Sequence, residues 1–318
     1  MAKSPPVAPG LDARPEDAAL MARASAIGAA LVTLYAVTPA SWTTLRGLVL
    51  YPAVGLLAAG AVVVGVRRYR PPTPEAWLFV GTGLLLFTLG YVAVGIYELS
   101  GPAPFPSVSD VLYLCGYVFL AAGLVIAIRV RRAGGLDPRA GIDAGIIATV
   151  GGYLAWLYLA RPALDHGELS TAAGVIAAAY VAGDLLMFMI VVRFLLSATW
   201  QDTRSLRWLA AGFGLTFAGD LTYIAWIVYG APPVRFWRLA LLVGMLAAGV
   251  AALHPTMRAL TEERGVPASK GDARGPALVT GVGLVPPLIM AVRYGRGEPS
   301  SIPVDVTVWA MLTVLIIA

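Results

Sequence analysis

The sequence predicts an all-α, polytopic bundle of transmembrane helices with about ten spans. Hydrophobic residues make up 58% of the chain, charged residues only 13%, and the mean hydropathy is +0.78. A soluble domain typically carries about 25% charged residues, so this chain lacks the polar surface that water requires. Apolar runs of about 20 residues recur along it, which is the length of a helix that crosses a bilayer.

The spans are expected as eight followed by two. Helices are the natural choice because every backbone polar group inside lipid needs a partner within its own segment. The predicted spans are 22–40, 47–66, 76–97, 109–130, 140–160, 171–197, 207–229, 237–254, 276–293 and 304–318. The last run is shorter than a full span of about 20 residues, so we expect an interrupted tenth span that continues into the cytoplasm.

Basic residues predict the orientation. Most of the 23 Lys and Arg residues lie in the N-terminal tail or after even-numbered spans, which favours a cytoplasmic N-terminus. The chain then divides into a cytoplasmic tail (1–21), an eight-span bundle (22–254), a cytoplasmic loop (255–275) and the last two spans (276–318). The net charge of +5 is spread over short clusters between apolar runs, which argues against nucleic-acid binding.

Four acids lie within the predicted spans: Asp110, Asp143, Asp184 and Asp220. Ionisable residues inside a membrane are costly and are functional hypotheses by default. Asp184 and Asp220 lie near mid-membrane in matching Ala-Gly-Asp-Leu segments of antiparallel neighbouring spans. If those faces meet, the carboxyls approach each other and one is expected to hold a proton. Three interpretations stay open: structural hydrogen bonding between helices, sensing of a proton, cation or small polar ligand, and transport.

Neighbouring side chains supply the structural interpretation. Tyr180 lies four residues before Asp184, and Tyr223 three residues after Asp220, so each can hydrogen-bond an acid on its own helix. Asp110 follows Ser107 and Ser109 at the predicted start of the fourth span. A helix-capping role there and a position at the mouth of an outward-facing pocket are both compatible with the sequence.

No catalytic constellation, metal site or cofactor is predicted. The chain has one cysteine, and its two histidines fall on opposite sides of the predicted membrane. No phosphate-binding loop or hydrolase motif is found. His254, followed by Pro255 at the end of the eighth span, is expected to cap a helix or lie at the interface. The sequence therefore predicts a protein that is not an enzyme.

Several motifs, taken in order, resemble a known membrane module. They are Pro106-Ser107-x-x-Asp110-x-x-Tyr113-Leu114-x-x-Tyr117, then Asp143, Asp184, Ala218-x-Asp220-x-x-Tyr223 and His254-Pro255-x-Met257. This order is similar to the N-terminal multi-span region of actinobacterial GGDEF and EAL proteins, which make or degrade cyclic di-GMP. The similarity covers roughly residues 76–260. Thr256 departs from it, because serine is expected after His-Pro.

The resemblance implies a sensory or anchoring input region in a bacterial inner membrane, with a cytoplasmic cyclase or phosphodiesterase following in the same chain. The ligand-sensing candidates are then the four acids with Tyr113, Tyr180 and Tyr223. The expected partners are the lipid bilayer and that effector domain, and a homodimer is compatible with the arrangement. Two alternatives are a transporter or ion-coupled carrier, and an anchor that binds no ligand.

Overall fold

The computed structural model describes most of the first half of the chain and several later segments. These are residues 14–131, 138–155, 203–229, 236–262 and 285–296, with positions 157, 176, 179, 180, 183, 184, 186, 187, 190, 308, 310 and 312. Every regular element among these residues is a helix, and no strand occurs in these segments. The predicted all-α class is confirmed.

The helices follow the apolar runs closely. In chain order they are α1 (Pro15–Val37), α2 (a π-helical turn Leu45–Leu50 continuing as Tyr51–Tyr69), α3 (Pro74–Tyr97), α4 (Val108–Arg131), α5 (Pro138–Ala155), α6 (Arg204–Tyr229), α7 (Phe236–Ala252), a 3-10 helix (Pro255–Leu260) and α8 (Val285–Gly295). The predicted sixth and tenth spans fall largely outside the described residues.

The first helix corrects two predicted boundaries. It begins at Pro15 and ends at Val37, so the tail expected at 1–21 gives way to helix before residue 22. Proline suits the first helical position, and the acidic side chains of Glu16 and Asp17 favour the positive end of the helix dipole. The other end stops before Pro39, where Thr38 donates its hydroxyl to the Leu34 carbonyl at 2.6 Å.

Four of the described helices are long and apolar enough to cross a membrane: Pro15–Val37, Leu45–Tyr69, Pro74–Tyr97 and Val108–Val130. Helix α7 is also apolar but shorter. Their outward faces carry large apolar side chains, such as Leu56, Leu89 and Val118, which are 55%, 43% and 65% exposed. Apolar side chains on both the inner and outer faces are typical of helices surrounded by lipid.

Helix α2 lies at the centre of the bundle, packed against α1, α3 and α7. Glycines on both helices let the backbones of α2 and α7 approach each other closely. A β-carbon built on Gly65 would overlap the carbonyl oxygen of Ala252, and one on Gly249 would lie 2.8 Å from the Cα of Ala58. Small residues at such contacts let helix backbones approach each other in membrane proteins.

A second, smaller core forms around α5. Ile146, Val150 and Tyr153 pack with Leu157, Val308 and Leu312, and Ile289 of α8 contacts this group. The described parts of the last two predicted spans therefore pack on α5. Pro286 and Pro287 lie in the first turn of α8, where the missing proline N–H costs little.

The loop expected at 255–275 begins with a buried element. Pro255, Thr256, Met257, Ala259 and Leu260 of the 3-10 helix are all buried. The apolar side chains explain this placement, because Met257 and Leu260 join the main core with α2 and α7 residues. The described start of this segment therefore packs against the bundle, at the beginning of the stretch that the sequence predicts as a cytoplasmic loop, partly helical around Met257–Arg264.

We expect Gly65→Ala to lower the thermal stability of the purified chain. The new methyl group has no room beside the Ala252 carbonyl, and overpacking typically costs about 1–3 kcal/mol. Gly60→Ala on the same helix is the matched control, because a β-carbon there meets nothing within 4 Å. Equal melting temperatures for the two variants would contradict the close α2–α7 contact.

Candidate functional site: a buried network of carboxyl and tyrosine side chains

One face of α4 carries the polar side chains that build the site. Asp110, Tyr113 and Tyr117 are spaced by three and four residues, which places them on one side of a helix. Asp110 and Tyr117 are buried, and Tyr113 is partly buried with its ring centroid 5.7 Å from that of Phe87 on α3. The polar face of α4 therefore points into the bundle.

Asp110 caps the start of α4 and also contacts a later part of the chain. Its Oδ2 accepts the Ser107 backbone N–H at 2.6 Å and the Ser107 hydroxyl at 3.0 Å. This arrangement satisfies a helix N-terminus in the manner of a capping box. The other oxygen, Oδ1, accepts the Tyr180 hydroxyl at 2.8 Å. A single carboxyl thus joins the start of α4 to Tyr180.

Tyr117 lies between the two acids that the sequence places near mid-membrane. Its hydroxyl is 2.5 Å from Oδ1 of Asp184 and 3.4 Å from Oδ2 of Asp220. Both carboxyls therefore lie against one phenol oxygen inside the bundle. Two carboxyls this close together in a low dielectric do not both ionise readily, so one of them is expected to hold a proton. The network can therefore store or pass on a proton.

The structure brings together four of the predicted site residues in two contacts. Asp184 and Asp220 meet at Tyr117, and Asp110 meets Tyr180. Tyr113 lies between these contacts along α4. Thr216, four residues before Asp220 on α6, donates its hydroxyl to the Gly212 carbonyl at 3.1 Å. The side chains of Asp143 and Tyr223 lie outside the described residues.

A cluster of tyrosines and arginines lies on the other side of α2. The Tyr35 and Tyr91 hydroxyls are 3.2 Å apart, and the Tyr51 ring stacks on Tyr91 with centroids 3.5 Å apart. Arg46 lies with its guanidinium carbon 4.5 Å from the centre of the Tyr35 ring. A cation over an aromatic ring gains about 2 kcal/mol when desolvated, less than the cost of burying an unpaired charge.

Arg238 of α7 belongs to the same cluster. Its guanidinium carbon lies 4.8 Å from the Trp237 ring centre and 5.9 Å from that of Tyr91. It also lies 4.0 Å from a Glu98 carboxylate oxygen. The cluster therefore joins α1, α2, α3 and α7 at one end of the bundle, here called the Arg46 end.

The opposite end, here called the Asp17 end, holds a second set of polar contacts. Asp17 Oδ1 accepts from Arg68 Nε at 2.7 Å and from the Tyr69 hydroxyl at 2.9 Å. The same hydroxyl lies 2.8 Å from the Leu253 carbonyl. These contacts fasten the start of α1 and the end of α2 to the end of α7.

His254 caps the 3-10 helix at the Asp17 end. Its Nδ1 accepts the Thr256 backbone N–H at 3.1 Å, and Thr256 Oγ1 lies 2.9 Å from the Ser205 hydroxyl at the start of α6. His254 is 4% exposed. Burial and the nearby charge of Arg204 lower the pKa of His254, while Asp17 acts in the opposite direction.

Sequence reasoning missed the role of Tyr117 and both end clusters. Tyr117 was visible only as an aromatic residue one helical turn after Tyr113. In the sequence, Arg46 and Arg238 resemble basic residues of the connecting loops, because an apolar run begins close to each of them. The spacing of Asp110, Tyr113 and Tyr117 places all three on one helix face, and this pattern could have indicated that Tyr117 belongs to the site. Contacts between distant helices, such as Tyr117 with Asp184, leave no local pattern.

Among the residues with described positions, no group of three potential metal ligands occurs. Comparison of the chain with protein-family models, curated proteins and solved structures finds no match.

We expect Tyr117→Phe to destabilise the chain by about 1 kcal/mol, a typical value for a hydrogen bond between membrane helices. The phenol oxygen contacts both carboxyls, and its loss leaves buried polar atoms without that donor. Tyr97→Phe on α3 is the control, because this half-buried tyrosine has no such contact. Thermal unfolding in detergent measures both. A Tyr117→Phe protein as stable as the control would rule out a stabilising network.

The lowered pKa of His254 predicts a pH dependence. Protonation favours the unfolded form, whose histidine pKa is about 6.5, so the contribution of His254 to stability is complete above that pH. It decreases as the pH falls towards the folded-state pKa. His254→Asn keeps a small capping side chain without a charge. We expect wild type to lose more thermal stability than this variant between about pH 7 and pH 5. Equal losses of thermal stability in wild type and in His254→Asn would contradict this role of His254.

Proposed function

We propose that this chain is an integral membrane input region of a bacterial signalling protein. In this proposal it crosses the cytoplasmic membrane about ten times, with the N-terminus inside, and controls a cyclic di-GMP cyclase or phosphodiesterase in the same polypeptide. The observation that carries the proposal is the contact of Tyr117 with Asp184 and Asp220, inside a bundle of apolar helices.

Membrane integration is supported by the distribution of side chains. Four helices have the length and hydropathy of spans, and large apolar side chains cover their outward faces. Carboxyls and phenols are found instead in the interior, at contacts between helices. This inside-out polarity suits lipid as the surrounding solvent, because polar groups there need partners within the protein.

The orientation is supported by the two ends of the bundle. Arg67 and Arg68 lie in the last turn of α2 and Arg70 follows it at the Asp17 end. Arg204 and Arg207 lie in the first turn of α6 at that same end. A concentration of arginines on one side favours the cytoplasm for that side. An effector would then lie near the Asp17 end, where α1, α2, α7 and the buried 3-10 helix meet.

Signal transfer is supported by the way the acids join separate parts of the chain. Asp110 connects α4 to Tyr180, and Tyr117 connects α4 to Asp184 and to Asp220 of α6. A change in protonation or a bound ligand at these carboxyls would alter the contacts among three helical segments at once. Such a local electrostatic change needs an element with two packings in order to act at a distance.

We expect Asp184→Asn and Asp220→Asn to change cellular cyclic di-GMP by about fivefold or more, the lower end of common coupling free energies. The amide keeps the shape of the side chain but cannot ionise. Glu75→Gln is the control, because Glu75 is exposed at the start of α3. The measurement uses cells that carry the intact gene, with membrane insertion verified by fractionation.

Unchanged cyclic di-GMP in both variants, with normal insertion, would remove the sensing proposal. Movement of a solute or ion across proteoliposomes, lost in both variants, would indicate a carrier. Variants that insert and signal normally but melt earlier would indicate an anchor in which the acids serve stability alone.

A further inference from the structure

We propose that Arg46 and Arg238 form a binding site for an oxyanion, a phosphate or carboxylate group, at the Arg46 end of the bundle. The residues of this site come from α1, α2, α3 and α7, whereas the acids of the carboxyl network join α4 to later segments. It deepens the proposed function by naming the chemical class of a ligand, and it rests on that proposal only for its link to signalling.

Arg46 is a buried cation whose side chain has no hydrogen-bond or ion-pair partner among the described residues. The residue is 6% exposed, its Nε makes no hydrogen bond, and the face of the Tyr35 ring is its contact. A guanidinium carries five N–H donors and no acceptor, so burial leaves donors that an oxyanion can satisfy. Arginine also matches the paired oxygens of phosphate and carboxylate groups in a bidentate geometry.

Arg238 adds a second unsatisfied donor to the same cluster. Its Nε is also buried without a hydrogen bond. Both guanidinium groups lie around one tyrosine pair, since Arg46 lies over Tyr35 and Arg238 lies near Tyr91, whose hydroxyl is 3.2 Å from that of Tyr35. The two donor groups therefore converge on one region of the interior.

Within ion-pair distance, the cations of the cluster outnumber the carboxylates of the described residues. Arg238 has one such partner, Glu98 at 4.0 Å, and Arg46 has none among these residues. An anion beside Arg46 would compensate its buried charge. The hydroxyls of Tyr35 and Tyr91 can donate further hydrogen bonds to the same oxygens, since a phenol donates as well as accepts.

The place of the cluster favours a ligand from one side of the bundle. Arg46 begins α2, Arg238 begins α7 and Glu98 follows the end of α3, so all three lie at helix ends. Such a position is reached by a free anion in solution and by the phosphate of an anionic lipid headgroup. The arginine donors would bind the oxygens of a free anion and those of a lipid phosphate in the same way.

The test measures binding directly on the purified chain. Inorganic phosphate is titrated into detergent-solubilised protein by calorimetry. In a second arm, nanodiscs of phosphatidylcholine with or without phosphatidylglycerol are compared by thermal stability. We expect binding in at least one arm, and Arg46→Gln should weaken it about tenfold or more, as expected for loss of a charge-assisted hydrogen bond. Binding in the first arm identifies a soluble anion, and binding in the second alone identifies a headgroup.

Arg67→Gln is the matched control, because Arg67 is exposed at the Asp17 end of the same helix. If Arg46→Gln does not fold, Arg46→Lys takes its place as the test variant. Lysine keeps the charge but lacks the planar guanidinium group, so this variant should bind the anion several-fold more weakly. No binding by wild type in either arm would overturn the proposal, and so would equal binding by wild type and every Arg46 variant that folds. These measurements need no effector, so their failure leaves the signalling proposal untouched.

Discussion

The arrangement of this chain depends on the need of buried polar groups for partners where no water reaches them. The Tyr117 hydroxyl meets two carboxyls, those of Asp184 and Asp220. A carboxyl left alone among apolar side chains would cost several kcal/mol, so these contacts also determine which helix faces meet. The polar residues of α4 thereby fix its position against the segments that carry Asp184 and Asp220.

The same constraint shapes the two ends of the bundle differently. At the Asp17 end, Asp17, Arg68 and Tyr69 satisfy one another, and Tyr69 also reaches the Leu253 carbonyl. At the Arg46 end, the Nε atoms of Arg46 and Arg238 make no hydrogen bond, and each guanidinium group lies near a tyrosine ring. The polar groups of the Asp17 end therefore find their partners within the bundle, whereas the Nε donors of the Arg46 end are available to the proposed anion.

The sequence predicts the helices well because apolar runs and prolines act locally. The boundaries of α3 and α4 agree with the predicted 76–97 and 109–130 within two residues, because Pro74 and Ser107 set the helix starts. The error at α1 arose from counting apolar residues alone, since Glu16 and Asp17 also favour a helix start. The site was only partly predictable, because Tyr117 meets Asp184 across 67 residues of sequence.

Infrared spectroscopy of the purified chain tests the central contact most directly, through the carbonyl stretch of a protonated carboxyl. A carboxyl pair that shares a proton and contacts Tyr117 predicts one such band at neutral pH. That band should disappear in Asp220→Asn, in which the pair no longer exists, and change frequency in Tyr117→Phe, in which a donor is lost. A spectrum without the band, or a band that neither substitution alters, would contradict the buried network.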